Sequence, residues 1–302
     1  VCLPCFDWPH NQHASCGAVI FRILFSAERC ALMRLSDIAF EKVLAIYLVS
    51  DSPTILTPGL LCRDFITHYT KEGRHDIKIV MGSENPSVPA GFEWKQANIS
   101  ELYPFPHNYL GVSGPKTAQF ASQFAKKMQP FAKTHATFGA LQLDEGKLVD
   151  LYRAVVYATR QDGHNYLHPL QYAAGFLMND NSIVVAHQSK LSEYGYSTDP
   201  VSAAITLLIQ QHHNADSSGH APSGNSQYPV ALVQTDQFGV CHAPFAPARC
   251  HLRETLQNSS SLVIFCHDSA GQLHTTDVQG LCPDFPDVTE GLSKTSDLPS
   301  RL

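Results

Sequence analysis

The run from Val43 to Val49 is almost continuously apolar and stops at Ser50-Asp51-Ser52-Pro53. Such a pattern predicts a strand buried on both faces, which requires helices above and below a sheet. The neighbouring stretches agree. Between Ser26 and Phe40, residues Ala27, Cys30, Ala31, Leu35, Ile38 and Ala39 recur at helical spacing, with Ser26 placed to cap the first turn. Pro58 suits the first turn of a second helix that runs to about Tyr69, with Cys62, Phe65, Ile66 and Tyr69 on its inner face. Ile77 to Met81 reads as the next strand and Ile99 to Leu102 as a short turn. Helix, strand, helix, strand is the order of an α/β sheet.

The same layout recurs downstream. Gly111 to Pro130 carries Phe120, Phe124 and Met128 and reads as a connecting helix. Leu148, Leu151, Tyr152, Val155 and Ala158 then mark an amphipathic helix, and residues 170–178 and 182–186 form a hairpin about Asn179-Asp180-Asn181. A helix over 199–211, a mobile loop from His212 to Gln227, a strand over 228–235, a helix over 247–256 and a strand over 262–266 follow, before a polar end. With 302 residues, two units of roughly 150 are expected. The boundaries read as 1–110 for the first unit, 111–142 for a helical linker, 143–290 for the second unit and 291–302 for a polar tail.

A net charge of −6 offers no broad basic surface, so nucleic acid is disfavoured as a partner. No run approaches 18 apolar residues, which disfavours a membrane span, and nothing at residue 1 reads as a secretory signal. The expectation is a soluble, intracellular protein, cytoplasmic or in an organellar matrix. Nine cysteines without framework spacing read as buried thiols. Cys2-x-x-Cys5 with His10 and His13 makes only a loose metal-like cluster.

Two stretches carry the spacing of a zinc site with only half of its set of residues. Ser26-Ala27-Glu28-Arg29 opens the first helix and Thr57-Pro58-Gly59-Leu60-Leu61-Cys62-Arg63 the second. The sequence resembles the cytidine deaminase family, in which a ligand precedes the catalytic glutamate by two residues and Pro-Cys-x-x-Cys opens a second helix. In the second unit, Tyr172-Ala173-Ala174-Gly175-Phe176-Leu177 resembles the family's first strand and Glu193-Tyr194-Gly195 the segment before its catalytic helix. That places Asp199-Pro200-Val201-Ser202 on the family's Cys-Ala-Glu-Arg and Ala246-Pro247-Ala248-Arg249-Cys250 on its Pro-Cys-x-x-Cys. Gly280-Leu281-Cys282-Pro283-Asp284-Phe285 resembles the family's closing Leu-Leu-Pro-x-x-Phe, and in the first unit Glu101-Leu102-Tyr103-Pro104 with Phe105 occupies the same place. The resemblance starts in mid-domain at residue 1, so an upstream piece is expected.

By this resemblance the fold is two three-layer α/β/α units with mixed central sheets, packed on each other as an internal pseudo-dimer. The chemistry is degenerate. In the first unit Ser26 and Gly59 replace two ligands and Cys62 and Glu28 remain; in the second, Asp199, Pro247 and Cys250 occupy the ligand places and Val201 that of the glutamate. The places where the family grips ribose fall on Gln188 and Lys190, and in the first unit on Ser15 and Gly17. A lysine cannot accept the sugar's hydroxyl protons. Zinc lowers the pKa of bound water to about 7, so without it no hydroxide forms at neutral pH.

Each surviving residue also has a structural reading. Glu28 suits a helix dipole, Cys62 and Cys250 suit small buried hydrophobes, and Asp199 before Pro200 suits an N-cap. His212, His213 and His220 fit a solvated loop, and Arg63 a surface ion pair. The expected function is a structural or interaction subunit of a larger assembly, with protein partners and no cofactor. Two alternatives stand: a zinc-dependent deaminase of cytidine or deoxycytidine using Glu28, Cys62 and Cys16 or Cys30, and a nucleoside-binding sensor.

Overall fold

The computed structural model describes residues 27–33, 43–50, 54–70, 76–85, 89, 91–112, 114–131, 143–191, 197–217, 227–256 and 262–285. The fold is α/β, with two sheets. The smaller sheet consists of β1 (Ala45–Ser50), β2 (Lys78–Glu84) and β3 (Phe92–Asn98), in that order. β1 and β2 are parallel, and β2 and β3 antiparallel. Its helices are α1 (Ala27–Met33), α2 (Leu60–Thr70), which makes the crossover, and the single turn α3 (Ile99–Leu102).

Helix α4 (Lys116–Ala125) follows, then α5 (Glu145–Ala158). The larger sheet has the order β5-β4-β6-β7-β8, with β4 (Tyr172–Met178), β5 (Ile183–His187), β6 (Pro229–Asp236), β7 (Val263–His267) and β8 (Leu273–Thr276). Helix α6 (Pro200–Ser217) joins β5 to β6, α7 (Ala246–Thr255) joins β6 to β7, and α8 (Val278–Leu281) follows β8. The succession β6-α7-β7-β8-α8 repeats β1-α2-β2-β3-α3, with the same parallel and then antiparallel pairing.

The larger sheet is covered on both faces. Leu148, Leu151 and Val155 of α5 pack against Ala173, Leu177, Ala231, Val233 and Phe265. On the opposite face Val201, Ala204, Ile205 and Leu208 of α6 and Ala246, Ala248 and Leu252 of α7 cover Ala174, Phe176, Leu232 and Ile264. In the smaller sheet, Ile79 and Met81 pack with Ile66 of α2, Leu32 of α1 and Ile99 and Leu102 of α3, with Ile46 against them. The other face of β1 contradicts the expectation of a strand buried on both sides: Tyr47 is 71% and Val49 54% exposed. No described element covers that side.

The segment after α3 is bound to the larger sheet rather than spanning free between units. Tyr109 and Ala121 share a cluster with Leu170, Tyr172 and Val240, Asn108 Nδ2 donates to the His267 carbonyl at 3.0 Å, and Phe131 stacks on Tyr152 with centroids 4.5 Å apart. Gly271, at φ 82°, brings its backbone against Met128, where a Cβ would stand 3.0 Å from that residue's Cα. Gln129 N donates to the Gly271 carbonyl at 2.7 Å in consequence.

Candidate functional site

The loop from β1 to α2 delivers the first of the two sequence motifs. Gly59 precedes the helix, and its carbonyl accepts from Cys62 N at 2.8 Å and Arg63 N at 2.9 Å. Cys62 is buried, and a Cβ added to Gly59 would lie 4.0 Å from its Sγ. The spacing therefore does set positions 59 and 62 side by side, but only one of them carries a donor. Glu28 lies half-buried in the first turn of α1.

Arg63 is not at the surface. It is 0% exposed, and its guanidinium donates to four oxygens. Nε reaches the Pro58 carbonyl at 2.7 Å, Nη1 the carbonyls of Leu102 at 2.7 Å and Pro283 at 2.6 Å, and Nη2 the Thr57 hydroxyl at 2.6 Å. Thr57 in turn donates to the Asp284 carbonyl at 2.8 Å. Burial lowers the Arg63 pKa to about 10, which leaves it a cation at neutral pH. The expected surface ion pair fails because the fork finds carbonyls at a closed interior joint.

Arg249 of α7 repeats the arrangement. Its Nε donates to the Pro244 carbonyl at 2.8 Å, Nη1 to Pro104 at 2.9 Å and Leu281 at 3.2 Å, and Nη2 to Phe105 at 2.6 Å. The guanidinium lies 4.1 Å from the centroid of the Tyr103 ring. Each arginine thus holds the short helix of its own sheet and the proline turn that follows the other sheet's short helix. Pro-x4-Arg spacing, shared by Pro58 to Arg63 and Pro244 to Arg249, was the sequence signal for this pair.

The pair also fixes the register between motifs. Arg249 N bonds to the Phe245 carbonyl as Arg63 N bonds to that of Gly59, and Phe245 is the N-cap of α7. Phe245 and Ala248 therefore stand where Gly59 and Cys62 stand, in place of the expected Pro247 and Cys250. Cys250 lies a half turn further on, half-buried, with its thiol pushed up to about 12 by burial and by Cys282.

Around Phe245 the space is filled by rings. His107 and His242 stack with centroids 4.6 Å apart, and Tyr172 and Phe245 pack edge-on at 5.2 Å. Buried Asp236 accepts from the Tyr109 hydroxyl at 2.6 Å and lies 3.1 Å from His242 Nε2. Tyr109 N donates to His107 Nδ1, so His107 Nε2 holds the proton that faces the Tyr172 hydroxyl at 3.1 Å. His107 and Tyr109 belong to the segment after the smaller sheet, and of these residues sequence reading named only Tyr172, as the start of a strand.

Among the remaining expected positions, Asp199 and Lys190 take structural partners through their side chains. Asp199 Oδ1 accepts from Ser202 N at 2.9 Å, an N-cap bond with Pro200 opening α6. Lys190 is buried and lies 3.1 Å from Asp162 Oδ2, while also donating to the carbonyls of His168 and Leu170. Burial raises the Asp162 pKa and lowers that of His168. Gln188 bonds through its backbone N to the Tyr172 carbonyl at 2.9 Å. His212 and His213 extend α6 rather than a loop. Cys2, Cys5, His10, His13, Ser15, Cys16, Gly17, Ser26 and His220 lie outside the described residues, as do the side chains of Cys30, His212 and His213.

Among the described residues no group of three or more His, Cys, Asp or Glu is placed to hold a metal ion. None of the described helices is long and apolar enough to cross a membrane. A cavity of about 450 Å³ opens beside the β1–α2 loop, lined by Thr54, Ile55, Thr57, Glu93, Lys95 and Phe285. Lys95 and Asp284 close its edge with a 2.6 Å ion pair between the two sheets' segments.

No protein-family model and no curated protein matches the chain. Solved structures of cytidine deaminases do. That from Mycobacterium leprae is 19% identical over 45% of this chain and 98% of its own, with a TM-score of 0.35. That from Mycobacterium tuberculosis is 20% identical over 46% and 97%, with a TM-score of 0.35. The enzyme from Burkholderia pseudomallei is 18% identical over 45% and 97%, with a TM-score of 0.34. At these values, function rests on what the chain's own residues can do.

Proposed function

We propose that the chain is a tandem of degenerate cytidine-deaminase-like units that has no deaminase activity and serves as an interaction subunit. The observation that carries this reading is the pair of helix starts at α2 and α7. A catalytic zinc takes three protein ligands. At α2 the described residues offer the Cys62 thiol beside a glycine, and at α7 the matching positions are Phe245 and Ala248, with Asp199 engaged as a cap. These donors do not fit a zinc ion. The proton-shuttling glutamate of the second unit is Val201, which is fully buried. The two units act as an internal pseudo-dimer, and the reciprocal reach of Arg63 and Arg249 supports that arrangement.

The test is metal content per chain by elemental analysis, on protein purified without chelator or histidine tag, together with turnover of cytidine and deoxycytidine. Zinc far below one per chain and no turnover are expected. Near-stoichiometric zinc with turnover abolished in Glu28→Gln would sink the reading. The open cavity beside Thr54 and Thr57 favours one second reading, a nucleoside sensor, whose mark would be a saturable rise in melting temperature with cytidine and no turnover.

A further inference from the structure

The chain between the two sheets is fastened to the larger one at both ends by an imidazole. At its start, His107 Nδ1 accepts from Tyr109 N at 3.2 Å and Nε2 lies 3.1 Å from the Tyr172 hydroxyl of β4. Near its end, His267 of β7 accepts from Cys241 N at Nδ1 and donates from Nε2 to the Gln129 carbonyl, both at 2.9 Å. The His267 carbonyl in turn accepts from Asn108 Nδ2. A neutral imidazole has one acceptor nitrogen and one donor, whereas an imidazolium has two donors. In each ring a backbone N–H takes up the acceptor, so a proton added there meets another donor and breaks that bond. Both arrangements hold only with neutral rings.

The surroundings give an added proton little compensation. His107 stacks on His242 at 4.6 Å and packs against Tyr109, Tyr172 and Phe245. His242 Nδ1 is buried and finds no hydrogen-bond partner among the described residues. The carboxylate beside the stack, Asp236 of β6, already accepts from the Tyr109 hydroxyl and from Phe238 N and Val240 N, and lies 3.1 Å from His242 Nε2. Behind Tyr172, Asp162 pairs with Lys190. Beside His267 stand the buried thiols of Cys241 and Cys266, and beyond it Asp268 pairs with His274 at the surface. α4 contributes Phe120 and Phe124, which pack on Tyr109. Burial, with His242 adding to it, lowers the His267 pKa against the opposing pull of the Gln129 bond and Asp236.

We propose that the described residues from His107 to Gln129 form an acid-released strap, docked on the larger sheet while His107 and His267 are neutral and let go when they take protons. Tyr109 and Ala121 share a cluster with Leu170, Tyr172 and Val240, so release uncovers apolar surface of the larger part and frees the link between the sheets. The inference goes beyond the interaction-subunit reading and does not depend on it. A released imidazole takes a proton near pH 6.5 and a docked one does not. Docking is therefore at full strength above about pH 6.5 and weakens below it. Between pH 7.5 and 5.5 each ring favours release about tenfold, and the two together about a hundredfold.

Hydrogen exchange of the full chain, read by mass spectrometry at pH 7.5, 6.5 and 5.5 and corrected for the intrinsic exchange rate at each pH, tests this. Protection of the α4 amides is expected to fall about a hundredfold over that range, while the amides of β4 and β6 keep theirs. His107→Asn, whose side-chain oxygen can accept from Tyr109 N but takes no proton, should cut the fall to about tenfold. His267→Gln should do the same, and the two together should remove it. No fall in the parent, an equal fall in the double variant, or loss of β4 and β6 protection in the same window overturns the proposal. Should a variant fail to fold by circular dichroism, nitrogen-15 spectra of the parent's histidine rings decide. Nδ1 of His107 and of His267 is expected to stay unprotonated wherever α4 is protected, and protonation of either ring with α4 still protected overturns the proposal.

Discussion

Arg63 and Arg249 are buried cations whose hydrogen-bond partners are carbonyl oxygens and one hydroxyl. Truncating either strands several buried acceptors, and each costs about 1 to 3 kcal/mol if left unpaired. Arg63→Met is therefore expected to lower stability by about 3 kcal/mol, read as a drop in the urea midpoint, with Arg63→Lys intermediate because a lysine cannot span the fork. Sequence hid this because an arginine after Cys62 looks the same whether it meets water or carbonyls 39 and 220 residues away. His267 is another case of a partner set by distant chain. Its Nδ1 accepts from Cys241 N and its Nε2 donates to the Gln129 carbonyl, both at 2.9 Å. Burial, with His242 adding to it, lowers its pKa below 6.5, while the Gln129 bond and Asp236 work the other way. The unfolded chain takes the proton first, so the stability this residue supplies is full above pH 6.5 and is lost as pH falls toward the lower folded value. The fall in urea midpoint between pH 7.5 and 5.5 should be smaller in His267→Gln than in the parent; equal falls would refute the assignment.

Elements with local signals were legible. Pro58 located α2, the Asn179-Asp180-Asn181 turn located the β4–β5 hairpin, where Asn181 sits at φ 67°, and the stripe of Leu148, Leu151 and Val155 located α5. Elements defined by pairing alone were not. β3 reads Phe-Glu-Trp-Lys-Gln-Ala-Asn and β8 Leu-His-Thr-Thr, too polar to signal strands, and both exist because an antiparallel neighbour supplies their ladder. The spacing that sets positions 59 and 62 side by side was legible around Cys62, whereas around Arg249 the matching positions fall two residues earlier than sequence reading placed them, since Ala248, Arg249 and Cys250 offer more than one match. How closely α5 sits on its sheet was also invisible in sequence. Gly175 of β4 faces Val155, and a Cβ there would stand 2.8 Å from Val155 Cγ2 and 3.0 Å from the Val184 carbonyl oxygen. Gly175→Ala should cost about 1 to 3 kcal/mol by overpacking. Adding Val155→Ala should recover part of that loss, so the pair should be less destabilised than the sum of the single variants. Strict additivity in denaturant titrations would mean that the backbone rather than α5 takes up the strain.

At the scale of the molecule, two sheets of unequal completeness share one interior. Leu60 and Tyr103 of the smaller part belong to the same core cluster as Leu252, Leu281 and Cys282 of the larger. The arginines tie each part to the other's proline turn, and Tyr109 and Ala121 pack on the larger sheet. Among the described residues the smaller sheet has three strands and one covered face, the minimum for independent stability. The joint adds to that minimum. The chain should accordingly unfold in one transition, with calorimetric and van't Hoff enthalpies agreeing. Arg63→Met combined with Arg249→Met removes both ties while leaving each sheet's own ladder intact, so the smaller part should then melt first and separately. Trp94 emission in a Trp8→Phe background would follow the smaller sheet, and near-ultraviolet circular dichroism, dominated by the tyrosines and phenylalanines of the larger part, would follow the rest. Coincident curves in the parent and divergent curves in the double variant are the expected result. Divergence already present in the parent would mean that the two units are separate folding bodies and that the arginine joint is not what couples them.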